Sequence, residues 1–405
     1  MPLVAHVAPE LFPVPPIRGG AAELFIEQVA GRLAGWQAVV ICRADPELPL
    51  REAKGAVRYV RLPLTGWRFW LYKRYRRWWP WYDHQVWRVI QETSPDIIQV
   101  HNRPLLARYL GQRLGGRQPV LLHLHNLYDS LGKRERPAPG AAIPVAACLA
   151  CSRFVLERER QRLGRGAARH YVVYNGVDPQ AFPCRWQAPE NGREVRQRYG
   201  LGQAPVVLFV GKVRESKGVG VLLEAMFQVW QQVPEAVLLV AGGTEYGRGR
   251  TDRPTPFYRR LHRQLQEAPG RVVLTGFIPP PEIPAYYQAG DVFVGPSQVE
   301  EGLGLVFLEA AASGLPIIAS RRGGIPEVVQ EGGNGLLLQR HDDPQELAGL
   351  IMALLADADR RRTLGEYGCR WVRDHFTWDH SAARLVQIYE AVLGQTPGPE
   401  CCHVP

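Results

Sequence analysis

The sequence of 405 residues contains no long uninterrupted run of apolar residues. No window reaches the ~18 apolar residues that a membrane-spanning helix requires, which argues against a transmembrane segment. The first residues have no basic leader ahead of an apolar stretch, so no signal peptide is predicted. These two absences predict a protein that stays in the cytoplasm.

Cysteine is sparse, and its seven residues are an odd number. This count argues against a disulfide framework and for a reducing compartment. Cys148 and Cys151 form a CxxC pattern, which together with Cys401, Cys402 and His403 could bind zinc. Because the first pair lies in an apolar run, small buried side chains are the favoured interpretation, and no metal is predicted.

Lysine is scarce, and the positive charge is unevenly distributed along the chain. There are five Lys and 44 Arg, and the net charge of +10 divides into +13 over residues 1–175 and −3 over residues 176–405. A basic first half suits nucleic acid, an anionic membrane or a phosphorylated or acidic ligand, and charge alone does not choose among them.

HExxH, Walker-type and GxGxxG patterns are also missing, which weakens metalloprotease, P-loop and dinucleotide-dehydrogenase functions.

Alternating strand-like and helix-like patterns predict an α/β fold with two domains. The strand-like runs of the first half are 3–8, 38–42, 97–100, 120–125, 145–151 and 171–174. Those of the second half are 206–210, 236–241, 272–274, 292–295 and 316–320. Helical patterns between such runs are typical of parallel sheets that are covered on both faces. The polar stretch 175–202 is the predicted change-over, and ligands are expected in a cleft between the domains, beyond the carboxyl ends of the strands.

The strongest constellation is a pair of glutamates eight residues apart, Glu301 and Glu309, around the start of a predicted helix over 304–313. Gly302 and Gly304 allow a ligand to approach the backbone closely, and the start of a helix offers N–H groups to an anion. One carboxylate can then reach hydroxyl groups near the anion, and the other can reach hydroxyl groups further away. This arrangement suits a nucleotide-sugar, and the alternative is two surface glutamates.

Two loops between a strand and a helix contain residues suited to phosphate. Lys212 and Lys217 follow the run 206–210, and compact ammonium groups at such a turn suit phosphate oxygens. Gly19 and Gly20 precede the first predicted helix in the same manner. The alternatives are a solvated basic turn for the lysines and a simple tight turn for the glycines.

Two His-Asn pairs lie at the ends of neighbouring strand-like runs, and both are expected to face the cleft. They are His101-Asn102 and His125-Asn126, and the second is preceded by His123 on the same predicted face. We predict a functional role for His125, whereas a structural role is favoured for His101.

Residues 66–88 combine ten aromatic side chains, six of them Trp, with six Lys or Arg and a single Asp. This composition is typical of a segment on an anionic membrane surface, which is the favoured interpretation together with a lipid-linked acceptor. Ordinary packing with arginines extending to solvent and stacking on acceptor sugars are the alternatives, and stacking on single-stranded nucleic acid is the least favoured.

Several segments together resemble the retaining glycosyltransferases of family 4, the glycosyl transferases group 1. They are YNGVDPQAF at 174–182, VGKVRESKG at 210–218, EEGLGLVFLEAAASGLPIIAS at 300–320 and HFTWDHSAARLVQIYEAVL at 375–393. The resemblance covers nearly the whole chain, is strongest over 171–394, and is closest to bacterial spore-coat-type members.

The resemblance implies the GT-B fold, which consists of two Rossmann-like doubly wound domains facing across a cleft. The first domain would cover 1–178 and the second, which binds the nucleotide-sugar, 179–375. A helix at 376–394 would cross back to the first domain, and a flexible tail would follow at 395–405.

The resemblance also implies roles for individual residues. Lys212 and Lys217 would bind the diphosphate, and Glu309 would hold the ribose hydroxyls. The donor-sugar contacts would come from one carboxylate and a run of backbone groups: Glu301, Gly302, Leu303, Gly304 and Leu305. His125 would lie beside the transferred sugar. The family usually has Arg at position 212, and Lys keeps the charge but loses the bidentate fork.

The activity implied is transfer of a hexose from a nucleoside-diphosphate sugar to an acceptor hydroxyl of a glycan, glycolipid or coat polymer. Retention at the anomeric carbon is implied, with no metal or cofactor, and Gly19 and Gly20 would close over phosphate and acceptor. The expected partners are the donor, the acceptor and an anionic inner membrane face contacted through 66–88. A sugar-nucleotide epimerase on the same fold and a non-catalytic coat-assembly protein are the alternatives, the second disfavoured by intact Lys217, Glu301 and Glu309.

Overall fold

The structure is a computed structural model that describes residues 1–64, 66–75, 81–127, 129, 143–160, 167–187, 192–243 and 256–395. The chain divides into two compact units, Met1–Gly176 with Trp378–Pro405, and Val177–Thr377. The division therefore lies at the start of the stretch 175–202 that we predicted as a linker. That stretch belongs mostly to the second unit and contains a helix at Arg193–Arg198. The predicted tail lies outside the described residues beyond position 395.

The first unit contains a sheet of eight described strands. They are β1 (Leu3–Val7), β2 (Gln37–Arg43), β3 (Arg51–Lys54), β4 (Val57–Leu62), β5 (Ile97–His101), β6 (Val120–Leu124), β7 (Val145–Ala150) and β8 (Ala167–Val172). Their order is β3-β4-β2-β1-β5-β6-β7-β8, and neighbours are parallel except for β3 with β4. The sequence prediction missed this last pair because β3 is a short polar edge strand that carries almost no apolar signal.

Helices cover both faces of this sheet. The described ones are α1 (Ala21–Ala30), α2 (Gly66–Tyr75), α3 (Trp81–Thr93), α4 (Pro104–Leu114) and α5 (Arg153–Arg160). Because the sheet is covered on both faces, every residue of β1, β5 and β6 is buried. Any polar side chain on these three strands therefore lies inside the unit and needs a partner there.

The second unit contains a sheet whose six described strands are all parallel. They are β9 (Val206–Val210), β10 (Val237–Ala241), β11 (Arg271–Leu274), β12 (Val292–Gly295), β13 (Ile317–Ser320) and β14 (Gly335–Leu338). Their order is β11-β10-β9-β12-β13-β14. The first five strands confirm the predicted runs to within one residue at each end, whereas β14 was not predicted because only four residues, GLLL, mark it.

The helices of the second unit alternate with these strands. They are α6 (Arg193–Arg198), α7 (Val219–Gln232), α8 (Pro256–Gln266), α9 (Ile283–Ala289), α10 (Leu305–Ala312), α11 (Pro344–Ala356) and α12 (Ala358–His375). The last helix of the chain, α13 (Trp378–Val392), belongs to the first unit and packs against α1.

One disulfide bond runs against the expectation from the cysteine count. Cys184 and Cys369, 185 residues apart, are joined, with their Cα atoms 6.0 Å from each other. The sequence cannot reveal this pair, because only folding brings α12 beside the segment that opens the second unit. Cys42, Cys148 and Cys151 are buried thiols, which agrees with the packing interpretation of the CxxC pattern.

For protein purified in air, peptide mapping without reductant is expected to recover Cys184 and Cys369 in one linked peptide. Reduction should lower the free energy of unfolding by about 2–4 kcal/mol, because the cross-link restricts the unfolded chain. Urea unfolding with and without reductant measures this difference. A Cys184→Ser/Cys369→Ser variant is the control, since its stability should not respond to reductant. Alkylation of both cysteines without prior reduction would contradict the assignment.

Candidate active site

Two loops of the second unit bring a lysine and a glutamate into contact. Lys217 Nζ lies 2.6 Å from Glu301 Oε1, although 84 residues separate them in the sequence. Lys217 ends a short 3-10 turn between β9 and α7, and Glu301 lies in the loop between β12 and α10. Because β9 and β12 are parallel neighbours, the loops after their carboxyl ends lie side by side.

A glycine makes the close approach of these loops possible. Gly218 has a φ of +76°, and a Cβ atom there would lie 1.8 Å from the carbonyl oxygen of Pro296. The N–H of Gln298 donates to the carbonyl oxygen of Ser216 at 2.9 Å, which fastens one loop to the other. A larger residue at position 218 would force the two loops apart.

The carboxylate of Glu301 is held from more than one side. Ser297 Oγ donates to the same oxygen that Lys217 contacts, at 2.7 Å. The N–H of Gly324 donates to the backbone carbonyl of Glu301 at 2.9 Å. The ammonium group is more exposed than the carboxylate, with 38% against 16% of the side chain accessible. Lys217 can therefore turn toward an anion while Glu301 stays in place.

The second glutamate lies one turn inside α10, behind the loop that starts this helix. Tyr287 Oη donates to Glu309 Oε2 at 2.7 Å. Desolvation raises the pKa of Glu309 to about 7, and the hydrogen bond from Tyr287 opposes that rise. Gly304 precedes the helix with a φ of +85°. Residues 302–305 thus lead into the N-terminus of α10, which is the positive end of the helix dipole.

Lys212 lies on the same loop as Lys217, directly beyond the carboxyl end of β9. The loop is anchored to the strand next to β9, because the N–H of Val213 donates to the carbonyl oxygen of Gly243 at 3.0 Å. Both predicted lysines, both predicted glutamates and the start of α10 therefore belong to loops and helices at one edge of the sheet of the second unit.

The first unit contains a buried group of four histidines at the carboxyl ends of β1, β5 and β6. Three of them form a chain: His6 Nδ1 lies 3.2 Å from His101 Nε2, and His101 Nδ1 lies 2.9 Å from His125 Nε2. His123, opposite His101 in the sheet, bonds through Nδ1 to Gln99 Nε2 at 2.8 Å. All four rings are buried.

Burial fixes the charge state of these rings. Desolvation lowers the pKa of His6 and of His125 to about 3, and lowers the pKa of His101 and His123 as well. The four imidazoles are therefore neutral at physiological pH. One ring nitrogen from each of His101, His123 and His125 lies within 4.8 Å of the others, close enough for a metal ion. Two of these three rings, His101 and His125, already hydrogen-bond to each other at 2.9 Å.

The glycine loop before α1 surrounds a buried carboxyl group. Gly20 has a φ of +118°, and a Cβ atom there would lie 2.1 Å from Glu23 Oε2. Desolvation raises the pKa of Glu23 to about 8, so this carboxyl is largely protonated at neutral pH. Gly19 and Gly20, with φ angles of +86° and +118°, both lie in the left-handed region of backbone conformation that favours glycine.

Comparisons with known proteins identify the family. Residues 21–181 match the model of Glycosyltransferase Family 4, and residues 192–371 match that of Glycosyl transferases group 1. The chain is 30% identical over 393 residues to spore coat protein SA of Bacillus subtilis (strain 168), covering 96% of this chain and 99% of that protein. The chain is a family 4, group 1 glycosyltransferase.

Further similarities agree with this assignment. A GDP-mannose-dependent phosphatidylinositol monomannoside mannosyltransferase of Mycolicibacterium smegmatis is 32% identical over 245 residues, 58% of this chain and 60% of that protein. The solved sucrose-phosphate synthase of Thermosynechococcus elongatus has a TM-score of 0.76 at 23% identity, covering 98% of this chain and 100% of that one. Anabaena HepE in complex with UDP and glucose has a TM-score of 0.71 at 21% identity, covering 95% and 98%. These structures share the GT-B fold of two Rossmann-like domains.

Sequence reasoning missed several groups that support the predicted residues of the glycosyltransferase. Ser297 and Tyr287 hold the two glutamates, and His6 and Gln99 hold two of the histidines. A signal for the last two was present, because each is a polar residue in the middle of a strand that is otherwise apolar. No comparable signal marks Ser297 or Tyr287.

The raised pKa of Glu309 predicts a pH-dependent cost to folding. The carboxyl group of Glu309 binds its proton more tightly in the folded state than in the unfolded state, where its pKa is 4.5. The stability that this group contributes is therefore fully present below pH 4.5 and is lost as the pH rises through about 7. We expect Glu309→Gln to gain about 2 kcal/mol relative to wild type between pH 4.5 and 8, less than the full shift implies because the side chain keeps some solvent contact.

Urea unfolding of the ligand-free protein across this pH range measures the effect. Glu300→Gln is the matched control, since Glu300 forms a solvent-accessible ion pair with Arg322 in the same loop region. A stability difference between wild type and Glu309→Gln that does not change with pH would contradict the prediction.

Proposed function

We propose that this glycosyltransferase transfers a hexose from a nucleoside-diphosphate sugar to a hydroxyl group of a glycan, glycolipid or coat polymer, with retention at the anomeric carbon. The contact of Lys217 with Glu301 beside the start of α10 carries the proposal. It brings together a cationic side chain suited to phosphate and a carboxylate suited to sugar hydroxyl groups. The names of the M. smegmatis relative and of the HepE complex, which mention GDP-mannose and UDP, support a nucleotide donor.

In the proposed complex, Lys212, Lys217 and the first N–H groups of α10 bind the diphosphate. Lys217 then exchanges its contact with Glu301 for a phosphate oxygen, and the released carboxylate oxygen accepts hydroxyl groups of the donor sugar together with the backbone of 302–305. Glu309, held by Tyr287, accepts the ribose hydroxyls. The sites for anion and hydroxyls thus follow the order of groups in a nucleotide-sugar.

The proposed reaction breaks the bond between the anomeric carbon and the β-phosphate oxygen. The acceptor oxygen bonds to the same face of the anomeric carbon, and its proton passes to an oxygen of the departing diphosphate. The two ammonium groups and the helix dipole stabilise the charge that develops there, and we assign this task to them rather than to a metal or cofactor. On the first unit, His125 is assigned to the transferred sugar, and Gly19 and Gly20 to phosphate and acceptor.

A panel of nucleotide-sugars tests the proposal through release of nucleoside diphosphate, and inversion or retention is read from the product by NMR. One donor is expected to release diphosphate. Lys217→Ala should then lower kcat/KM by about 30- to 1,000-fold, since loss of one preorganised donor costs about 2–4 kcal/mol in the transition state.

Lys54→Ala is the matched control for this variant, because Lys54 is an exposed lysine of the first unit that pairs with Glu52. Unchanged kcat/KM in Lys217→Ala would contradict the proposed phosphate site. A donor that is isomerised without release of diphosphate would indicate an epimerase instead.

We also propose that the enzyme works in the cytoplasm with α2 against the anionic inner face of a membrane. Trp67 and Trp70 on this helix are 66% and 62% exposed, unusually high values for tryptophan. The guanidinium of Arg43 lies 3.8 Å from the ring centre of Phe69, which places a cation against this helix. The described helices include none that could span a bilayer. Within the predicted segment 66–88, residues 76–80 lie outside the described residues. Helix α3 contributes partly to the core, since Tyr82 is buried.

Sedimentation with vesicles tests this surface. The protein is expected to bind vesicles that contain phosphatidylserine and to bind neutral phosphatidylcholine vesicles weakly. Trp67→Ser/Trp70→Ser should reduce the bound fraction at least about threefold, because interfacial aromatic area is lost. Val299→Ser, which alters an exposed apolar side chain of the second unit, is the control. Equal binding by wild type and the double variant would contradict the proposal.

A further inference from the structure

We propose that His101 is a positioning residue that fixes the tautomer of His125, so that the N–H group of His125 lies at Nδ1, on the side of Asn175. The inference rests on the proposed function only in assigning His125 to the sugar. The tautomer itself follows from the hydrogen bonds within the first unit.

The three rings are linked in series through opposite nitrogens. His101 uses Nε2 toward His6, at 3.2 Å, and Nδ1 toward His125, at 2.9 Å. The rings of His101 and His125 lie within 16° of parallel. Because the bond to His101 occupies Nε2 of His125, Nδ1 is the nitrogen of His125 that remains for another partner.

Counting protons leaves two arrangements for this chain. A neutral imidazole carries one N–H group and one acceptor nitrogen, and burial keeps all three rings neutral. Each of the two bonds needs one donor and one acceptor. The N–H groups must therefore all lie on Nδ1, or all lie on Nε2, of His6, His101 and His125.

The two ends of the chain select between these arrangements. With all protons on Nε2, the chain would end in a buried N–H of His6, at an atom that has no hydrogen-bond partner among the residues that the structure describes. Unpaired buried N–H groups are rarer in proteins than unpaired acceptors. At the other end, Asn175 lies next to His125, and its side-chain oxygen is a buried acceptor. Both ends favour protons on Nδ1, which makes His125 a neutral donor.

Asn102, the residue after His101, holds the backbone of His125, whereas His101 holds its ring. Asn102 adopts a φ of 53°, rare for a residue other than glycine, and its Oδ1 accepts the N–H of His125 at 2.8 Å. The ring of Phe25 packs against His125, with the two ring centres 4.9 Å apart. The dipeptide His101-Asn102 thus fixes both the position and the hydrogen-bonding direction of His125.

Two substitutions of His101 separate this role from simple packing. The amide nitrogen of an Asn side chain takes the place of Nδ1, and that of Gln takes the place of Nε2. His101→Asn therefore keeps a donor to His125, whereas His101→Gln keeps only the contact with His6. We expect His101→Gln to lower kcat about tenfold or more, and His101→Asn to lose at most about threefold, with similar melting temperatures for both. Equal losses in the two variants would overturn the proposal.

NMR of protein labelled with 15N-histidine reads the tautomer without any substrate. The 15N signals of His125 are assigned as those that disappear in His125→Ala. Their chemical shifts should indicate the Nδ1–H form in wild type and in His101→Asn, and a different tautomer population in His101→Gln. An Nε2–H form of His125 in wild type would overturn the inference, and this result is decisive even where His101→Gln does not fold.

A double-mutant cycle tests whether His101 acts through His125. In the His125→Ala background, His101→Gln should cause no further loss of kcat, whereas a loss as large as in wild type would contradict action through His125. If no nucleotide-sugar is turned over by wild type, the proposed function fails, and the NMR result still decides the tautomer separately.

Discussion

The contact between Lys217 and Glu301 is the interaction on which the site of the second unit depends. Partly exposed ion pairs contribute little to stability, about 0–1 kcal/mol, so the pair is not explained by folding alone. Two further features hold it in place, namely the glycine at position 218 and the hydrogen bond from Ser297. Position 218 thus requires glycine, and a buried hydroxyl group is committed to the same contact, although the ion pair itself adds little stability. Such support for a weak contact is typical of a binding site.

The polar groups of the two units differ in their electrostatic environment. In the second unit, charged groups lie on loops, where solvent lowers the cost of keeping Lys217 ionised. In the first unit, the polar side chains lie on fully buried strands, where a charge is costly and neutral imidazoles remain. The described polar groups of the second unit thus include ion pairs on exposed loops, whereas the buried histidines of the first unit form hydrogen bonds between neutral rings.

The sequence predicted those parts of the fold whose signal is local. The strands β9 and β12 and the helix that carries Glu309 follow from apolar runs and glycine positions, and the loops after these two strands carry Lys212, Lys217 and Glu301. The pairing of Cys184 with Cys369 and the contact of His6 with His101 could not be predicted, because each joins residues 95 or more positions apart. The packing of helices and the order of strands determine such contacts, and a single sequence does not encode either in a local pattern.

Net charge alone does not point to the half of the chain that contains the proposed phosphate site. The excess of positive charge lies in residues 1–175, whereas the lysines of the proposed phosphate site lie in a half with a net charge of −3. Salt screens charges over ~8–10 Å, so a bound diphosphate responds to the few groups within that distance and to the end of a helix, not to the total. A broad excess of arginine acts instead on an extended anionic surface, which many charges approach at once. The basic first half, with Trp67 and Trp70 exposed on α2, has the composition for such a surface, whereas Lys212 and Lys217 of the second half lie on one loop beyond the carboxyl end of β9.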